Sequence, residues 1–214
     1  MTGVTQAVFM NQRSFGPQIG EAYGGGYYAG QISTAGNGVA SHNLVVAPVS
    51  TGQSTNKRWK TSTTSTPGTS SVIDGPANSS AMNNADHPAA QFCEGLSIGG
   101  YTDWYMPAKN ELEVCYYNLK PTTNANNTGY GANANAVPSR SSTTYTSGTP
   151  AQTSATDFKS GGSQAFAGVA GVFYWSSTEY NYLSAWAQWF QFGAQYFTTK
   201  TGLYNVRAVR RVAV

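Results

Sequence analysis

Residues 172–214 read VFYWSSTEYNYLSAWAQWFQFGAQYFTTKTGLYNVRAVRRVAV, and how this run is read decides the fold. Aromatic and β-branched residues recur in short blocks broken at Gly193 and at Thr201-Gly202, the signature of strands joined by turns. The pattern predicts strands over 172–176, 185–191, 195–199 and 204–212, arranged as a meander. Charge is almost absent until Arg207, Arg210 and Arg211. Rings set among Asn, Gln, Ser and Thr suit a recognition surface, since Tyr and Trp offer contact area at little rotamer cost and the amides supply adaptable hydrogen bonds.

The contact residues expected from this run are Tyr180, Asn181, Tyr182, Trp186, Gln188, Trp189, Gln191, Phe192, Gln195, Tyr196, Thr198 and Tyr204. Successive strand residues point to opposite faces, so some of these must turn inward, and the sequence leaves the register open. Ser176 and Ser177 have no histidine and aspartate placed to activate them, and the nine acidic residues form no evident pair across a cleft. An enzyme is therefore not expected. Glu179 is assigned to a buried backbone group or to an arginine such as Arg207.

Outward from this run, composition sets limits. The chain has 214 residues, enough for one domain with a self-sufficient core. Charged residues are only 10% and glycines number 24, which points to a loop-rich fold, while 13% aromatic content excludes a chain that never collapses. The net charge of +3 is too small and too local for a nucleic-acid footprint. No stretch reaches membrane-spanning length, and the first residues lack a basic start followed by an apolar segment, so synthesis in the cytoplasm without a signal peptide is expected. Cys93 and Cys115 fit no metal spacing and are expected as buried free thiols.

In the middle of the chain, Ala89, Phe92, Cys93 and Leu96 recur at helical spacing, with Asp86 as cap and Pro88 in the first turn. DWYMP follows as a short buried strand, with Trp104 and Met106 on one side and Tyr105 on the other. A second helix carries Leu112, Cys115, Tyr116 and Leu119. Glu111 stands where a capping box places its carboxylate, yet Ala108 occupies the hydroxyl's place, so a weak start is expected. Asp103 is read as tying a turn or helix end.

Nearer the N-terminus, two β-type runs between Gly20 and Pro48 read as an antiparallel pair. Gly24, Gly25 and Gly26 precede a strand and so do not form a phosphate loop. His42 is a polar loop residue. Residues 1–16 carry Val8, Phe9 and Met10 and read as an arm for docking or assembly. The domain itself spans 17–214, with polar insertions at about 50–84, anchored by Trp59, and 120–165, a tract too polar to bury much surface.

GGYTDWYMPAKNEL, YWSSTE and VRAVRRV occur here in the order in which they stand in a known domain family. The chain resembles the C-terminal domain of the Lcl adhesin type, a C-type-lectin-like fold common in bacteriophage tail and fibre proteins. It is similar also to the variable proteins diversified by phage retroelements, such as the major tropism determinant. The resemblance covers roughly Gly20 to Val214. It implies an α+β domain of two helices on a twisted, mostly antiparallel sheet, with long irregular loops, frequently in a homotrimer. It further implies a virion adhesin whose C-terminal strands meet a host cell-surface glycan or protein while the arm holds other virion proteins. Calcium-dependent sugar-binding lectins of this fold use an acidic, amide and proline loop and a Trp-Asn-Asp run that are missing here. Glu179 alone cannot make the roughly six to eight oxygens of a calcium cage, so no metal or other cofactor is expected.

Overall fold

A computed structural model describes residues 16–142 and 144–214. The arm expected over residues 1–16 lies, but for its last residue, outside them. In chain order the strands are β1 (Ala22–Tyr23), β2 (Gly26–Ile32), β3 (His42–Val46), β4 (Gln53–Lys57), β5 (Phe173–Glu179), β6 (Ser184–Trp189), β7 (Gln195–Thr199), β8 (Tyr204–Arg207) and β9 (Val209–Ala213). The helices are α1 (Val49–Gly52), α2 (Gly75–Ala81), α3 (Pro88–Glu94) and α4 (Lys109–Leu119). The domain is α+β, as expected, but it has two sheets, ordered β1-β2-β3-β9 and β4-β8-β5-β6-β7.

The segment 204–213 runs through both sheets, beside the β3–β4 connection over 47–52. Only Ala208 separates β8 from β9; its N–H donates to Gly52 O and its carbonyl accepts from Ala47 N, both at 2.9 Å. This overturns the expected simple meander. β5, β6 and β7 do form one, but β8 returns to lie parallel beside β5, and β7 is left at the edge. The turn after β7 does this: Gly202 N–H closes on Thr199 O, and Lys200 is tied back to Leu183 and Glu179.

Apolar residues gather in two cores. One surrounds α4 and includes Leu112, Cys115, Tyr116, Leu119, Tyr174 and Phe190. The other joins Trp59, Trp104, Met106, Trp175 and Cys93. Burial of Trp59 is worth about 2–3 kcal/mol only if its indole N–H finds an acceptor, and it donates to Ser176 O at 2.9 Å. DWYMP divides its side chains as alternation predicts, Tyr105 into the first core and Trp104 with Met106 into the second. It is a single bridge to Val209, however, not a strand of any length.

The three stretches that carry the family resemblance meet at this joint. Tyr105 and Val209 exchange backbone bonds of 2.9 and 3.0 Å. Arg210 grips Asp103 through two nitrogens at 2.7 and 2.8 Å, and Arg211 Nε donates to Glu111 Oε1 at 2.8 Å. Ser177 N donates to Pro107 O at 2.8 Å. Asp103 is thus an arginine partner, not a turn tie, and Arg210 holds its carboxyl below the usual range. Among the described residues, Arg207 has no carboxylate partner. It is buried, donates to Ala47 O and Gln164 O, and faces the Phe166 ring, and desolvation draws its pKa down to about 10.

The start of α4 is secured by distant acceptors where Ala108 supplies none. Lys109 N donates to Thr178 Oγ1 at 3.0 Å and Asn110 N to Val72 O at 2.8 Å, while Glu111 Oε2 accepts from Ala108 N at 2.8 Å. The expected weakness is therefore absent: three orphan donors of the first turn are all paired. Asp86 is not the cap of α3; His87 holds that position, and Asp86 accepts from Thr61.

Both polar tracts are pinned from inside. Residues 120–165 send Ala136, Tyr145 and Phe158 into the first core, and Phe166 follows directly after them, so the tract buries far more than its composition suggests. Buried Lys120 Nζ donates to Asn124 O and Pro150 O, and buried Asn126 Nδ2 to Thr146 O and Pro150 O. In the earlier tract, buried Lys60 holds Ser65 O and Thr66 Oγ1, and buried Lys200 holds Thr64 O and Glu179. An ammonium with three donors, or an amide with two, can satisfy several carbonyls at once. Among the described residues, no helix is long and apolar enough to cross a membrane.

Candidate ligand-binding face

The β5–β6–β7 meander supplies the face, and register now assigns its sides. Trp186 lies opposite Phe197, Gln188 opposite Gln195, and Trp189 opposite Phe173. Trp186 and Phe197 therefore share one face, while Trp189, Phe173 and Trp175 share the other. That second face is largely closed: Phe173 and Tyr204 pack on the second core, Trp189 Nε1 donates to Val169 O, and the Thr198 and Tyr204 hydroxyls meet at 3.1 Å.

The first face opens on solvent. Tyr180 stacks on Phe197 with centroids 4.0 Å apart and planes at 12°, and both meet Trp186 edge-on at 5.3 and 5.8 Å. Such offset and edge contacts hold rings rigid without a surrounding core. The turn before β6 is fixed by Asn181, whose Oδ1 accepts from Leu183 N and Ser184 N at 2.9 Å, and it carries Tyr182 out to 58% exposure.

A cleft of about 320 Å³ runs beside these rings, lined by Lys109, Tyr130, Trp186, Gln195, Tyr196 and Phe197 together with neighbours in 129–132. Lys109 places its ammonium 4.2 Å over the Trp186 ring, and burial lowers its pKa. Tyr196 belongs by register with Trp189, but at the sheet edge its ring meets Tyr130 edge-on at 5.7 Å and reaches the cleft.

The 129–132 wall rests on buried polar chemistry. Tyr145 N donates to Tyr130 O at 2.7 Å, and the Tyr145 hydroxyl donates to Glu113 Oε1 at 2.6 Å. Asn133 Nδ2 and Arg140 occupy Glu113 Oε2. Gly131 has φ of 102°, and a Cβ there would meet the Tyr145 ring at 2.2 Å, so only glycine lets this loop lie against that ring.

Of the twelve expected contact residues, the structure exposes Tyr180, Asn181, Tyr182 and Tyr196 and half-buries Trp186, Trp189, Gln191, Phe192, Thr198 and Tyr204. Gln188 and Gln195 are corrections. Gln188 is 0% exposed, with its amide on Gly193 O, and Gln195 is nearly buried, with its amide on Lys109 O. Both point to the α4 side; Gln195 binds the helix backbone there and keeps only a small surface on the cleft. Phe197, 51% exposed, and Lys109 belong to the face and were not among the residues expected. Alternation with Trp186 through the Gly193 turn signals Phe197; nothing local signals Lys109, which reaches the cleft from a helix far earlier in the chain. Glu179 does hold a backbone group, accepting from Thr66 N at 3.0 Å, but its cation is Lys200, not Arg207.

The molecule is thus a two-sheet α+β domain with a rigid, ring-lined cleft at the open edge of one sheet. A family model for the Lcl C-terminal domain matches residues 49–210, and the chain belongs to that family. None of the curated proteins matches the chain. Among solved structures, that of a fimbrial protein from Bacteroides ovatus is similar at 16% identity and a TM-score of 0.42, over 78% of this chain and 35% of that one. The chain therefore spans about a third of that protein's length.

Proposed function

We propose that this protein is an adhesin of a bacteriophage virion, a tail-fibre or receptor-binding protein with a C-type-lectin-like domain. It holds a receptor on the host surface through the Tyr180, Trp186 and Phe197 face and acts without catalysis. The observation that carries this reading is the stacked Tyr180–Phe197 pair, large, rigid and left in solvent by a domain that buries or half-buries most of its other big rings. Membership of the Lcl C-terminal domain family supports it. Homotrimer assembly, with residues 1–16 fixing the domain to other virion proteins, would multiply a weak single-site contact into avidity.

The test compares host-cell binding by the purified protein and by a Tyr182→Ala, Phe197→Ala double variant. Loss of binding at an unchanged melting temperature is the expected result. Undiminished binding removes the reading. If instead the assembled protein shields Phe197 from solvent and never binds cells, the face is an internal virion contact and the protein is purely structural.

A further inference from the structure

One wall of the cleft is backbone. β7 is the outermost strand of its sheet, and its pairing with β6 fixes which peptide groups are used. Trp189 donates its N–H to Ala194 O and Lys200 donates its own to Leu183 O. With Ala187 opposite Tyr196 and Ala185 opposite Thr198, the even-numbered residues of β7 turn their peptide groups toward β6. In an antiparallel pair the intervening residues point theirs away. Gln195 and Phe197 therefore present N–H and C=O outward, and among the described residues no backbone group takes them up.

An edge of this kind is ordinarily protected by charge, proline or a bulge. QYFTT has none of these, and its register with β6 is unbroken. The same cleft holds one ammonium. Lys109 has no carboxylate within 4 Å among the described residues, and the acid in its surroundings, Glu113, is already engaged by Arg140, Tyr145 and Asn133. Open main-chain groups, a ring-lined pocket and an unmatched positive charge thus converge in one groove.

We propose that this groove receives an extended polypeptide segment, which adds to β7 as a further strand and sets an acidic side chain against Lys109. Strand addition draws affinity from main-chain hydrogen bonds and specificity from alternate side chains, and here the alternate side chains meet Trp186 and Lys109. Residues 1–15 and β7 of a second copy contain no Asp or Glu, so neither supplies the acidic side chain. The inference rests on the attachment reading for where the segment comes from, namely a protein receptor on the host surface.

The test screens the purified full chain against an array of end-blocked nonapeptides with a central Glu and flanks drawn from Thr, Val and Tyr. Binders should weaken about tenfold when Glu becomes Gln, the loss of one charge-assisted contact. They should lose binding when alternate backbone amides are N-methylated, a change that leaves the protein untouched. Phe197→Pro removes an outward N–H that β6 does not use, and proline is tolerated at such edge positions. It should abolish peptide binding, whereas Phe197→Leu retains it and Lys109→Met erases the preference for Glu. An array without binders overturns the proposal, as do binders indifferent to N-methylation or an acidic oligosaccharide that competes for the cleft where peptides do not. Cell binding without peptide binding removes this inference and leaves the adhesin; peptide binding without cell binding does the reverse.

Discussion

The joint between the sheets and the edge at β7 end in opposite states. At the joint, Glu111 of α4 accepts from the Tyr105 hydroxyl, Ala108 N and Arg211, and Arg210 beside Arg211 on β9 is held by Asp103. At β7, Phe197 keeps an open peptide group and an exposed ring. Two residues before Glu111 on the same helix, Lys109 lacks a carboxylate partner among the described residues. Saturated polar groups fix a fold; unsaturated ones placed on a rigid support remain for something else.

Breaking the joint should cost most. Glu111→Ala strands Arg211 and the Tyr105 hydroxyl and is expected to destabilise by about 3–5 kcal/mol, read as the urea midpoint. A second change works through pH. His87 donates through Nδ1 to Asn84 Oδ1 and accepts at Nε2 from Thr66, whose hydroxyl in turn accepts from Lys60. Burial beside Lys60 and Lys200 lowers its pKa from 6.5 to about 4. A depressed value means the stabilisation is complete above the unfolded pKa and lost as pH falls toward the folded one. Stability should decline from pH 6.5 toward pH 4 by at most about 1.4 kcal/mol per unit, and His87→Gln should flatten that limb.

Gly131→Ala tests the support of the cleft itself. The new methyl meets the Tyr145 ring, so a loss of about 1–3 kcal/mol is expected, together with quenching changes at Trp186 as the 129–132 wall moves. The smallest effect belongs to the open face beside that edge, at the turn before β6: Tyr182→Ala should alter stability by less than about 0.5 kcal/mol while weakening cell binding. A large loss of stability there would erase the contrast between the regions.

Much of the joint could be read from the chain. Helical spacing found α3 and α4, alternation placed Tyr105 against Trp104 and Met106, and ring-rich blocks located β5 to β8 within a few residues. Local signals were also overlooked: Asp74 followed by Gly-Pro caps α2 through Ala77 N. The rest was illegible for physical reasons. Whether Gln188 or Trp189 faces the helix depends on register, which a one-residue slip would invert. The pairing of Lys200 with Glu179, and the pins at Lys60 and Lys120, are long-range bonds that no spacing announces. Lys109 enters the cleft only because α4 lies across β6.

The two thiols fall one in each core, Cys115 on α4 and Cys93 on α3 in the core that holds Trp59 and Trp104, and both are buried and unbridged. Chemical labelling can therefore report each half of the interior on its own clock. Equal modification rates for Cys93 and Cys115 would mean that the halves open as one cooperative unit; unequal rates would reveal which half breathes first, without adding a single probe.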